Sequence, residues 1–257
     1  MSRSVGRGVF GLDPDGYDQS RFGYPDELFA ELRSHLGPYL GALGEIGPGT
    51  GLATRRLLEF EPDRFVAFEP DARLAAYLHK RFPSIEIAQQ DFLSVDMSPD
   101  FDLIAAAASF HWLDPSLALS HVRKLLKPGG LMALWWNVYT EALEGSLAAA
   151  VAPLVSALPM PPSIPAQGHY SLNESLHRSR IESAGFGFIG HRLFVTEIAV
   201  SPDRARGLYA SFSFVRILDP ESRKRLLEAI AQTVVERFGD SAPLRILTPL
   251  YLARSPG

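Results

Sequence analysis

The 257-residue chain is 46% hydrophobic and 21% charged, with a formal net charge of −4 and no cysteine. That balance excludes wholesale disorder, a disulfide framework, thiolate metal sites and a cysteine nucleophile, and it offers no general attraction to nucleic acid or to an anionic membrane. The opening MSRSVGRGVFGLDPDGYDQ has no continuous apolar core of the signal-peptide kind, and runs such as LIAAAA are too short to span a bilayer, so a soluble cytoplasmic protein is expected.

From Ala42 onward short apolar runs alternate with helical patterns, the rhythm of βα units and a parallel sheet buried on both faces. ALGEI is the first strand, and Ala53, Leu57 and Phe60 then follow at helical spacing. RFVAFEP is the second strand. Asp71 caps a helix striped by Leu74, Leu78 and Phe82, which Pro83 stops. IEIAQQD and FDLIAAAA read as the third and fourth strands. Pro115 opens a helix that KPGG at 127–130 ends before LMALWWN, the fifth strand. An alanine-rich helical segment then leads into LPMPPSIPAQG, whose prolines predict a lid or insertion loop. SLNESLHRSRIESAGF predicts a helix ending at Gly185, RLFVTEIAV a sixth strand, and SPDRARGLYASFSFV a short helix near the surface. DPESRKRLLEAIAQTVVERFG predicts a helix with Asp219 as N-cap, Pro220 at N1 and Gly239 at the stop, and RILTPLYLAR a last strand.

The chemistry concentrates in GEIGPGTGLATRRLL. Glycines between a strand and a helix let a ligand approach bare backbone beside free N–H groups. Gly47, Gly49 and Gly51 make GxGxG, whereas a dinucleotide fingerprint needs its third glycine where Leu52 stands. Glu69 closes the second strand 22 residues after Gly47, where a carboxylate can accept from both hydroxyls of a ribose. Glu45 puts an acid just before the glycines, which repels phosphate and favours an ammonium or sulfonium.

EIGPGTG, FEP, QQDF, FDLIAAAASFHW and LLKPGGLMALWWN, in this order and spacing, resemble the class I S-adenosylmethionine-dependent methyltransferases. The resemblance runs over roughly the whole chain and is strongest across the first five strands. It is closest to the small-molecule branch that includes trans-aconitate methyltransferases; YDQSRFGYPDELF is similar to that branch's YDxxRPxYP lead-in, with Phe22 replacing the usual proline. The resemblance implies an α/β, Rossmann-like sheet of seven strands, mostly parallel with an antiparallel last strand and helices on both faces. It implies one domain over 1–257, with a lead-in over 1–40 and an inserted cap over about 140–215. The cofactor is then S-adenosyl-L-methionine and the product S-adenosyl-L-homocysteine. Glu45 and the loop of Gly47, Gly49, Thr50 and Gly51 would hold the methionine end, Glu69 the ribose, and Pro70 the side of the adenine. Asp91 and Phe92 would contact the adenine amine and ring face. Ala107 and Ser109 would lie under the sulfonium and methyl, and Tyr17 and Arg21 would close over the cofactor, Arg21 pairing with its carboxylate.

His111 and Trp112 follow the fourth strand at the carboxyl edge of the sheet, where open α/β folds bind ligands. His111 could be a general base or a loop-bonding residue, and Trp112 a wall for the methyl donor or a cap on the sheet. The lead-in, the 157–170 loop and the SPDRARGLYASFSFV segment supply further acceptor-site candidates, Tyr24, His169, Tyr170, Tyr209 and Ser213. No metal-ligand motif is present. The expected activity is methyl transfer to a small-molecule oxygen or nitrogen. A nucleic-acid substrate is disfavoured because ASFHW stands where an Asn/Asp-Pro-Pro-aromatic motif is usual. The alternatives are an NAD(P)-dependent oxidoreductase and a non-catalytic S-adenosylmethionine-binding protein.

Overall fold

The structure is a computed structural model that describes residues 13–98, 100–139, 142–158 and 169–257. Most of LPMPPSIPAQG therefore lies outside the described residues. Seven strands form one sheet in the order β3-β2-β1-β4-β5-β7-β6. They are β1 (Ala42–Ile46), β2 (Arg64–Phe68), β3 (Glu86–Ala88), β4 (Phe101–Ala107), β5 (Leu126–Trp135), β6 (Gly187–Val200) and β7 (Ala242–Arg254). β1 runs parallel to β2 and to β4, β2 parallel to β3, and β4 parallel to β5. β7 runs antiparallel to β5, as the resemblance implied. The order turns back on itself at β1 and β4, and in open α/β sheets the crevice at the carboxyl ends of such a strand pair is where ligands bind. No helix among the described residues is long and apolar enough to cross a membrane.

The chain divides into two compact units. The second, made of residues 23–136, 173–194 and 249–257, holds β1 to β5. Its helices are α2 (Asp26–Ser34), α3 (Thr54–Leu57), α4 (Ala72–Arg81), α5 (Pro115–Leu125) and α7 (Glu174–Ser183). Every residue of β1 is buried, as parallel strands covered on both faces require. Leu43, Leu103, Leu131 and Trp135 form its core with Leu28, Phe29 and Leu32 of α2.

The first unit gathers residues 1–22, 137–172 and 195–248. It contains α1 (Pro14–Ser20), α6 (Leu147–Val155), α8 (Pro202–Ala210), α9 (Ser213–Arg216) and α10 (Pro220–Phe238). Its core joins Leu147 and Val151 to Leu208, Phe214, Ile230 and Val234. α10 lies outside the 140–215 cap expected from the sequence, yet it belongs to the same unit as that segment. Its ends match the sequence reading: the Asp219 carboxylate accepts from Ser222 N at 2.9 Å, and Gly239 stops the helix at φ 77°.

Two expectations need correction. KPGG does not separate helix from strand, because β5 begins at Leu126 and runs through it; Gly129 N and Ser255 N bond to Ser255 O and Gly130 O, so pairing to the chain's end outweighs the local turn signal. SPDRARGLYASFSFV is not a surface helix. It forms α8 and α9, whose Ala205, Leu208, Phe214 and Val215 are all buried.

Candidate active site

The glycine loop follows β1, and each glycine answers a different constraint. Gly47 has φ 61°, and a Cβ on it would stand 2.7 Å from Ser109 Cβ, so it keeps the ends of β1 and β4 together. The Ser109 hydroxyl spans the same gap by donating to Ile46 O. Gly51, at φ 88°, would drive a Cβ to 2.3 Å from the Phe82 ring, so its need is packing against α4. Gly49 has φ 61° and nothing within 4 Å of its notional Cβ, which leaves open space where a ligand can approach the backbone. We expect Gly51→Ala to lower stability by about 1–3 kcal/mol in urea unfolding. Gly49→Ala should cost only its left-handed backbone, about 1–2 kcal/mol.

Glu45 sits at the end of β1 with no exposure to solvent. Its Oε2 accepts from the Thr54 hydroxyl at 2.6 Å, while Oε1 is buried and has no partner. Burial pushes its carboxyl up to about 8, against the opposing bond from Thr54 and with help from the nearby Glu69 charge. Glu69, 5% exposed at the end of β2, accepts from Gly49 N at 3.3 Å and Asp71 N at 3.0 Å, which ties the loop to the strand tip. Pro70 beside it is half-buried. Thr50 is buried and its hydroxyl has no partner. Two acids, one with an orphaned oxygen, beside open backbone suit a cationic ligand bearing a ribose and are hostile to a pyrophosphate.

After β3, Asp91 caps a short turn, accepting from Leu93 N at 3.0 Å. Phe92 departs from its expected place. Only 1% exposed, it stands edge-on to Phe68 at 5.3 Å and to His121 at 4.9 Å, so its ring belongs to the core and is not a face for adenine. At the end of β4, Ala107 is half-buried, and Ala108 adopts φ 52°, a left-handed strain that turns the chain and brings Ser109 back over Ile46. His111 and Trp112 follow in a single 3₁₀ turn with ring centroids 4.5 Å apart. His111 Nδ1 accepts from the indole N–H of Trp136 at 3.4 Å.

These residues all belong to the second unit, as does Tyr24, which packs edge-on to Trp135 at 5.8 Å. Tyr17, Arg21, His169, Tyr170, Tyr209 and Ser213 belong to the first. There the Arg21 guanidinium lies over the rings of Phe212, Tyr17 and Tyr139 at 4.7, 5.2 and 5.4 Å and donates to Ser211 O. His169 Nδ1 bonds to the Ser171 hydroxyl at 2.7 Å, and its ring is 5.3 Å from that of Tyr170. Tyr209 and Ser213 do not present themselves to a ligand. They are 4% and 8% exposed, and Tyr209 stands edge-on to Phe212 in the unit's core, where burial raises its hydroxyl's pKa. The partners that sequence reasoning missed are Thr54, Trp136 and Tyr139. A buried acid's need for a donor pointed to a hydroxyl on the helix after the loop, but no local pattern announced the other two.

Residues 44–134 match the family model described as "Methyltransferase domain". An uncharacterized methyltransferase of Schizosaccharomyces pombe is 27% identical over 136 residues, 52% of this chain and 54% of that protein. One of Mycobacterium tuberculosis is 30% identical over 135 residues, again 52% of this chain and 54% of that protein. The chain thus spans about half the length of the curated relatives it matches. Among solved structures, the [4+2]-cyclase SpnF is similar in fold, with a TM-score of 0.61 at 17% identity over 100% of this chain and 96% of that one. A methyltransferase domain at residues 44–134 thus sits within the seven-stranded sheet, the arrangement that the resemblance to the class I S-adenosylmethionine-dependent methyltransferases implied.

Proposed function

We propose that the protein transfers a methyl group from S-adenosylmethionine to a small-molecule acceptor. The observation that carries this reading is Glu45, fully buried with an unpartnered oxygen beside the glycine loop and within the field of Glu69. A buried carboxyl that ionises when a cation stands beside it, next to the charge of Glu69, favours a ligand that brings positive charge and no phosphate. Glu69 would accept from the ribose hydroxyls, Glu45 and the amides of the Gly47–Gly51 loop would hold the methionine end, and Asp91 would receive the adenine amine. Tyr17 and Arg21 are assigned to the cofactor from the resemblance alone. When bound, the cofactor supplies a methyl group on a cationic sulfur, open to in-line displacement by a nucleophilic atom of the acceptor. The chain's own contribution is alignment and exclusion of water, since the electrophile comes ready-made. ASFHW after β4 and the net charge of −4 support a small molecule over a nucleic acid as acceptor.

Calorimetric titration with S-adenosylmethionine, S-adenosylhomocysteine and NAD tests the cofactor. Binding of the first two and not of NAD is expected, and binding of NAD alone would sink the reading. Because the similar SpnF is named a cyclase, the activity test must detect the methylated product by mass, with carboxylates, phenols and amines as acceptors.

A further inference from the structure

Trp136 directly follows β5, and its indole is 1% exposed. Two rings pack against it, the His177 ring of α7 at 5.3 Å and the Tyr251 ring of β7 at 6.2 Å, and both residues are themselves buried. Packing therefore leaves the indole little rotational freedom. In that orientation its N–H points at Nδ1 of His111 at 3.4 Å. An indole nitrogen can only donate, so Nδ1 must accept. An imidazole nitrogen that accepts carries no proton, and a neutral ring then keeps its hydrogen on Nε2. The Trp112 ring, 4.5 Å from His111, packs against the imidazole.

Resting on the methyltransferase reading for what His111 meets, we propose that Trp136 is a positioning residue that holds His111 neutral, with its proton on Nε2, so that His111 offers the acceptor a hydrogen-bond donor and takes no proton from it. A general base must take up a proton on a free lone pair. Here Nε2 already bears hydrogen, and protonating Nδ1 would give up the bond it accepts from the Trp136 indole. The acceptor atom must then reach the site able to attack without deprotonation by His111. This separates His111 from the general-base role that its place after β4 suggests.

The test needs no acceptor. In the ¹⁵N-histidine-labelled full chain, the His111 signals are assigned by their loss in His111→Gln, and long-range ¹⁵N–¹H correlation spectra report its tautomer. In the wild type at neutral pH we expect an unprotonated Nδ1 and a protonated Nε2. Trp136→Phe preserves a ring against His177 and Tyr251 but removes the N–H, so its His111 should mix the two neutral tautomers. A protonated Nδ1 in the wild type would overturn the proposal. So would an unchanged tautomer in Trp136→Phe. Should that variant fail to fold, the wild-type spectrum still decides. Titrating S-adenosylhomocysteine into the same samples separates the two readings, because absent binding would sink the methyltransferase assignment and leave the tautomer standing.

Discussion

Replacing Glu69 with alanine is expected to weaken S-adenosylhomocysteine binding by about a hundred- to ten-thousandfold. Two hydroxyls donating to one carboxylate make charge-assisted bonds of about 1.5–3 kcal/mol each, and every 1.4 kcal/mol is a factor of ten in affinity. A carboxylate offers about four acceptor sites, more than the amides of Gly49 and Asp71 use. Those amides also make Glu69 an anchor for the loop, so alanine removes both a ligand contact and the tie that presents Gly49. Glu69→Gln separates the effects. It keeps an acceptor for Gly49 N, loses the charge, and should fall between the wild type and Glu69→Ala. Titration calorimetry, with thermal unfolding to show that the variants fold, makes the comparison. Affinity within threefold of wild type in Glu69→Ala would remove the ribose assignment.

What the sequence made legible is whatever depends on neighbours within a few residues. The strand ends at Glu45 and Glu69, the glycine loop, the Asp71 cap and the whole frame of α10 follow from local spacing, and all are present. Ala53, Leu57 and Phe60 do mark a helical stretch, but it runs as α3 and then a 3₁₀ turn over Leu58–Phe60, ended by Glu61 at φ 52°. What depends on remote neighbours could not be read. Phe92 turns inward because Phe68 and His121, 24 and 29 residues away, make a better home for its ring than solvent. The helices over 202–216 are buried because Tyr139, Ile230 and Ile246 close on them. The pairing of His111 with Trp136 spans 25 residues and carries no period.

Binding of S-adenosylhomocysteine is expected to tighten as pH rises from about 6 toward about 8 and to level off above it, with close to one proton released per ligand in the lower range. Glu45 supplies the reason. Enclosed, with Oε1 unpartnered and Glu69 nearby, its carboxyl is raised from 4.5 to about 8, so at neutral pH the empty site holds a proton there. An ammonium placed beside it favours the carboxylate, and the proton leaves on binding. Affinity can then gain up to about tenfold per pH unit, equivalent to about 1.4 kcal/mol. Calorimetry in buffers of different ionisation enthalpy counts the proton directly. Stability should move in the opposite sense. Because the folded pKa lies above the unfolded one, the empty protein binds more protons than the unfolded chain between about 4.5 and about 8. This contribution is full below 4.5 and is lost as pH climbs through 8. The ligand's thermal stabilisation should accordingly be larger at pH 8 than at pH 6. Glu45→Gln keeps an acceptor for the Thr54 hydroxyl but cannot ionise, so its affinity should be flat with pH and about ten- to a hundredfold below wild type at pH 8. Heats at pH 7 that do not vary with the buffer would mean that no proton is exchanged and that Glu45 is not where the ligand's positive charge rests.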